Sequence, residues 1–214
     1  MAQPQIDSSL DRRTQILDAA LVCFAKRGFH QASMHDISAE AGISVGLIYR
    51  YFENKEAVIS AMADRHKKEI GEVLERARQA PTLLESLEIL FTAHCCEDAP
   101  QVVSAFVVDL YAEASRNPRV AELVRDVCET TRSGVTDLIA RSPEVQNAPR
   151  DLTPRQIAEL IFAVNDGMLM REVLNVSEGS DDEQRQRQLK ALRSLWRLLF
   201  TSQPESTYAS SKIF

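Results

Sequence analysis

The stretch Gly42-Ile43-Ser44-Val45-Gly46-Leu47-Ile48-Tyr49-Arg50-Tyr51-Phe52 constrains this chain more than any other. Its first glycine suits a turn, the serine two residues on suits a helix N-cap, and a short aromatic-rich helix follows. At 100° per residue, with Ile48 as zero, Phe52 falls near 40° while Gly46 and Arg50 fall near 160° and 200°, flanked by Leu47 and Tyr49. One side of this helix is therefore core and the other is not. A glycine within a helix costs about 1 kcal/mol relative to alanine. Its place on the outward side predicts that something bulky approaches the backbone there, with double-stranded DNA the leading candidate.

The residues around this stretch set it in a helical frame. Ile16, Leu17, Ala20, Leu21 and Phe24 recur at three- and four-residue intervals, an amphipathic helix expected to stop at Gly28 after Lys26 and Arg27. Ser33 and Asp36 have capping-box spacing for a second helix with Met34, Ile37 and Ala41 on its apolar face. Two short helices joined across Gly42 have the sequence form of a helix-turn-helix. Asn54 then caps a longer helix from Lys55 to about Gln79, with Val58, Met62, Val73, Leu74 and Ala77 inward. Further helices are predicted at about 82–97, 101–115, 119–141, 154–175 and 182–201. Pro81, Pro100, Pro118, Pro143, Pro149 and Pro154 stand near the junctions, where proline cannot continue a helix. No useful strand alternation occurs. The pattern predicts an all-α chain of about nine helices without internal repeats. Residues 11–55 form a helix-turn-helix domain and residues 56–201 a larger domain, and the polar tail 202–214 is expected to be disordered.

Composition narrows the classes. Hydrophobic residues at 44% and charged residues at 26% are ordinary globular values, which excludes a disordered chain. The start lacks a signal peptide's regions and no apolar run approaches the ~20 residues of a membrane span, so a soluble cytoplasmic protein without membrane contact is expected. Cys23, Cys95, Cys96 and Cys128 lack C-x-x-C spacing and read as free thiols. His94-Cys95-Cys96-Glu97 cannot converge on one ion from a single helix, so neither metal nor cofactor is expected. The net charge of −6 argues against indiscriminate coating of nucleic acid. The acidic excess falls after residue 70, which leaves the early part free to present a local basic surface.

Residues about 12–60 resemble the DNA-binding domain of the TetR family of bacterial transcriptional regulators. The resemblance is carried by Arg13, Ile16, Leu17, Ala19, Ala20, Phe24, Gly28, Phe29, Asp36, Ile37, Ala41, Gly42, Ser44, Gly46, Ile48, Tyr49, Tyr51, Phe52, Lys55 and Glu56 in fixed register. It implies that the third helix enters the major groove of operator DNA and that two copies act as a homodimer. Carried onto matching positions, Ser44, Val45, Gly46, Leu47, Tyr49, Arg50 and Tyr51 belong to the DNA face, with Lys55 on a phosphate. Arg50 suits a guanine edge or a phosphate, Val45 and Leu47 suit thymine methyls, and the Tyr49 hydroxyl suits the backbone. Ser33 and the amides opening the second helix are a further candidate phosphate site. Val45 and Leu47 depart from the family's commoner polar or basic residues, so much of the affinity is expected from phosphates and DNA shape.

The same resemblance implies a small-molecule effector cavity in the later helices. Polar groups stranded on apolar stripes are the candidates for orienting a ligand. His94 continues the Leu87, Leu90 and Phe91 face, Asn165 lies beside Ile161, Val164 and Met168, and Asp109 borders Phe106 and Leu110 with Tyr111 near both. Ile157, Leu160, Ile161 and Val164, with Leu192, Leu195, Trp196 and Leu199, suit a four-helix bundle between subunits. The alternative is that these stripes pack only within their own subunit.

A ligand-responsive transcriptional regulator, most simply a repressor, is the function these features imply. An all-α enzyme lacks support, since no metal constellation, phosphate loop or nucleophile signature is present. A helical interaction protein that had lost DNA binding would be expected to lose Gly46, Tyr49 or Lys55, and all three are in place.

Overall fold

A computed structural model describes residues 8–94, 100–146, 152–174 and 181–200. Cys95, Cys96 and the tail expected to be disordered lie outside the described residues. Among those described, ten helices and no strand occur: α1 (Ser8–Arg27), α2 (Met34–Glu40), α3 (Val45–Tyr51), α4 (Lys55–Arg78), α5 (Leu83–His94), α6 (Pro100–Ala114), α7 (Pro118–Arg141), α8 (Pro143–Gln146), α9 (Pro154–Val173) and α10 (Asp181–Phe200). The helix beyond the expected nine is the four-residue α8. The prolines begin helices rather than end them, since Pro100, Pro118, Pro143 and Pro154 are the first residues of α6 to α9. Proline's fixed φ suits this position and its missing N–H is not needed there. Asn117 caps α7, and Thr153 with Gln156 forms a capping box for α9.

Two buried clusters organise the molecule. The first joins Ile16, Phe24, Ile37, Ile48 and Phe52 of α1 to α3 and its end with Val58, Ile59, Ala61 and Met62 of α4 and Val120 of α7. It therefore runs past residue 55 and takes in the first turns of α4. The second begins at Ile70, farther along the same helix, and gathers Leu87, Phe91, Val135, Ile139, Ile157, Leu192 and Trp196. Helix α4 belongs to both cores and fixes one against the other. Helix α6 packs on α1, α7 and α9, which makes it a second connection between the two regions.

Candidate nucleic-acid interface and effector cavity

The turn before α3 is made by backbone rules that the sequence obeys. Gly42 has φ +64°, Gly42 N–H donates to Ala39 O at 3.1 Å, and Ile43 N–H donates to Ser38 O at 3.0 Å. This pair of bonds is the glycine-terminated helix end that satisfies the last carbonyls of α2. Ser44 then caps α3, its Oγ accepting Leu47 N–H at 3.3 Å. Ile48 is fully buried and Phe52 nearly so, while Ser44, Gly46, Tyr49 and Arg50 are exposed and Val45 and Leu47 half-buried. Tyr49 is 53% exposed, unusual for a tyrosine without a function at the surface. A Cβ built on Gly46 meets nothing within 4 Å, so the subunit itself does not require glycine there. Arg50 makes no ion pair among the described residues, leaving its guanidinium available.

Three expected DNA contacts are placed differently. Tyr51 is half-buried and packs against the first core, which removes it from the outward face. Lys55 does not reach outward: its Nζ donates to Phe29 O at 2.7 Å and His30 O at 3.1 Å and stands 4.8 Å from the Phe29 ring centre. A cation at a helix N-terminus opposes the macrodipole, and the two carbonyls offset that. Ser33 is committed to the capping box, its Oγ donating to Asp36 Oδ2 at 2.6 Å while accepting Asp36 N–H at 3.1 Å. The Ser33 bonds hold the pKa of the Asp36 carboxylate below the usual value.

The turn between α1 and α2 is also gripped from the far side. Asp109 of α6 accepts Phe29 N–H at Oδ2, 2.5 Å away. Gly28, at φ +78°, lets that carboxylate approach, because a Cβ there would lie 3.1 Å from Asp109 Oδ1. Phe106 stacks on Phe24 with centroids 6.1 Å apart, and Leu110 packs on the same first core. Asp109, Phe106 and Leu110 thus belong to the junction with α1 and not to a ligand cavity, a correction to the expectation. At the other end of α6, Ser104 donates to Glu172 of α9 at 2.6 Å.

The second core borders a partly open cavity of about 50 Å³. Its walls are Leu87, Leu90 and Phe91 of α5, Thr131 and Val135 of α7, Ile161, Phe162 and Asn165 of α9, and Leu192 and Trp196 of α10. Phe91 and Asn165 were expected here. Met168 instead packs on the outside of this core, and the His94 side chain lies outside the described residues. Tyr111 is 39% exposed on α6, with its hydroxyl 4.0 Å from Cys128 Sγ. Partial desolvation beside Cys128 raises the pKa of that hydroxyl above the tyrosine norm.

The expected dimer surface also divides. Ile157, Leu192 and Trp196 are 1%, 3% and 2% exposed and fill their own subunit's core, so they offer no face to a partner. Ile161 lines the cavity and Val164 packs beside it, whereas Leu160 is 46% exposed. Leu195 is half-buried, and the Leu199 side chain lies outside the described residues. Sequence periodicity did not single out Met170 and Leu174, which are 45% and 64% exposed.

Comparison with known proteins fits this geometry. Residues 16–62 match the family model of bacterial regulatory proteins, tetR family, and residues 85–197, over half of the chain, match that of the BetI-type transcriptional repressor, C-terminal. The first match coincides with the span of the first core within α1 to α4. The transcriptional regulator UidR of Escherichia coli K12 is 32% identical over 167 residues, 71% of this chain and 79% of that protein. The solved structure of Salmonella enterica GusR superposes with a TM-score of 0.73 at 27% identity, covering 92% of this chain and 98% of that one. FadR of Bacillus subtilis, solved in complex with stearoyl-CoA, shares the fold with a TM-score of 0.70 at 21% identity, over 89% of this chain and 99% of that one.

The chain belongs to the TetR family of bacterial transcriptional regulators. It is a helix-turn-helix regulator of transcription that binds DNA. The relatives bear the names of regulators rather than enzymes, and no helix among the described residues is long and apolar enough to cross a membrane.

Proposed function

We propose that two copies of this chain hold operator DNA through α3 and release it when a small molecule enters the cavity between α5, α7, α9 and α10. The observation that carries the DNA reading is the outward face of α3. Gly46 offers open backbone, Tyr49 and Arg50 stand exposed beside it, and a capped, glycine-terminated turn holds them in place. Val45 and Leu47 flank that face and meet thymine methyls, Ser44 lies at the phosphate edge, and Arg50 reads a base or binds a phosphate. Lys55 acts indirectly by fixing the Phe29 turn rather than by touching DNA.

The dimer forms on the free side of α9. Leu160, Met170 and Leu174 are exposed there, with Ala163 and Gly167 between them. A Cβ on Gly167 meets nothing within its own subunit, so close approach of a second helix is the reason for a glycine at that point. Effector entry works through α9, which lines the cavity and holds α6 through Glu172 and Ser104. Helix α6 passes the displacement to α1 at Asp109 and Phe106, changing the head separation from the roughly 34 Å, or a multiple, that half-sites demand.

Fluorescence anisotropy on DNA from beside the protein's own gene tests this reading. Affinity should exceed that for random DNA and fall steeply with salt. Tyr49→Ala and Arg50→Ala should each weaken binding roughly tenfold or more while sedimentation still reports a dimer. Equal affinity for the chosen fragment and random DNA sinks the proposal. Leu160→Glu with Met170→Glu should yield monomers, and a dimer that persists removes the α9 face.

A further inference from the structure

The cavity lining is apolar apart from Thr131 and Asn165, and a buried donor without an acceptor stands against its Phe162 wall. Arg132 Nε is the buried side-chain nitrogen or oxygen that lacks a hydrogen-bond partner among the described residues. Leaving such a donor unmet costs about 1–3 kcal/mol, and more on a charged group, so its retention calls for a use. Arg132 follows Thr131, a wall residue, and its Cζ stands 5.9 Å from the ring centre of Phe162, another wall residue. Its Nη1 donates to Glu129 at 3.1 Å on the solvent side, and Glu129 is itself held by Arg155 through both oxygens at 2.8 and 3.0 Å. What remains is the Nε and Nη2 edge, two parallel donors that match the two oxygens of a carboxylate. Asn165 adds to the same wall an amide without a partner among the described residues. The opposing charge nearby is Asp166, which feels Arg132 electrostatically but does not bond its Nε.

We propose that Arg132 and Asn165 form a carboxylate subsite, and that the effector is an amphipathic acid whose apolar body lies among Phe91, Val135 and Trp196. This rests on the cavity being the effector site. The ligand carboxylate accepts from Nε–H and Nη2–H side by side and from the Asn165 amide. At about 50 Å³ the cavity is far below the roughly 300–1,000 Å³ of usual ligand pockets. Entry therefore displaces the Phe162 ring, which opens the way to Arg132, and moves α10, whose Arg193 grips Glu88 of α5 at 2.6 and 2.8 Å.

The probes are straight-chain carboxylates from butanoate to dodecanoate, with the alcohol and the primary amine of each length, titrated calorimetrically into the full chain near neutral pH. A mid-length acid should bind roughly tenfold or more tightly than its alcohol, and the amine more weakly than either. Arg132→Gln should erase the acid's advantage, Arg132→Lys should keep part of it, and Asp166→Asn should tighten the acid alone. Without ligand, Arg132→Gln should melt within about a few degrees of the parent, because removal of the unmet donor offsets loss of the exposed Glu129 bond and the Phe162 contact. An acid that binds no better than its alcohol, or whose preference survives Arg132→Gln, overturns the subsite. The cavity reading stands in that case if Val135→Phe, folded by its melting curve, abolishes binding of both. Should no probe of any length or charge bind, or should Val135→Phe leave binding unchanged, the cavity reading fails and the subsite with it.

Discussion

In the first core Phe24, Ile37, Ile48 and Val58 are sealed from solvent and the surrounding turns are capped, whereas the second core holds a void of about 50 Å³ between Phe91, Val135 and Trp196. A head that must fit a groove gains from rigidity, and a region that must admit a ligand gains from being incompletely filled. The difference lies in finish rather than in composition. Both cores are aliphatic and aromatic, but the first has its polar ends satisfied at Ser33, Ser44 and Asn54, while beside the second, against Phe162, Arg132 keeps an unmet donor.

The largest test of this contrast is Phe24→Ala. Phe24 is fully buried and packs on Phe29 and Phe106, so its loss should cost about 3–5 kcal/mol in denaturant unfolding and take α6 contacts with it. A loss under about 1 kcal/mol would mean the first core is as loose as the second. Next, Asp109→Ala should cost about 1.5–3 kcal/mol, since the buried Phe29 amide loses a charged acceptor. The same variant should bind DNA with a blunted effector response. Unchanged stability and an intact response would remove α6 as the connection.

A matched pair sharpens the comparison further. Val58→Leu in the sealed core should destabilise by about 1–3 kcal/mol through overpacking. Val135→Leu beside the void should be neutral or gain up to about 1 kcal/mol, as cavity filling commonly does. If both variants lose stability alike, the void is not available space. The smallest effect belongs to Asp166, an exposed residue whose carboxyl pKa partial desolvation nonetheless raises above 3.8 against the pull of Arg132. The stability linked to a raised carboxyl pKa is fully present below the unfolded value and lost as pH rises through the folded value. Asp166→Asn should therefore melt about a degree higher than the parent near pH 7, and that gain should vanish in acid below about pH 3. A gain that persists in acid would have another cause.

Helix positions were legible because burial imposes a 3.6-residue period and because Ser33, Ser44 and Asn54 cap by local chemistry. The outward face of α3 was legible for the same reason, as Gly46 and Arg50 lie opposite Ile48. The destination of a buried polar group was not. Asp109 borders an apolar stripe in the sequence, but only tertiary packing decides whether that stripe meets a cavity or the turn after α1. Lys55 shows the same limit, since its long stem reaches two carbonyls that lie 26 and 25 residues away. Arg132 lies four residues after Cys128 and three before Val135, on the apolar stripe of α7. The criterion that found Asn165 also fits it, but long charged side chains ordinarily snorkel to water, which masks the signal.

The dimer face illustrates the division once more. Ile157, Leu160, Ile161 and Val164 form one apolar set by sequence, yet Ile157 turns into the core, Ile161 to the cavity and Leu160 to solvent. Sequence by itself determined the all-α class, the turn at Gly42, the cap at Ser44 and the two-sided character of α3, because these depend on backbone geometry and neighbours within a few residues. Tertiary structure alone decided that Lys55 and Asp109 grip the Phe29 turn, that Trp196 walls a cavity, and that Arg132 is left unmet. Those outcomes depend on which helix lies opposite, and no local period encodes that.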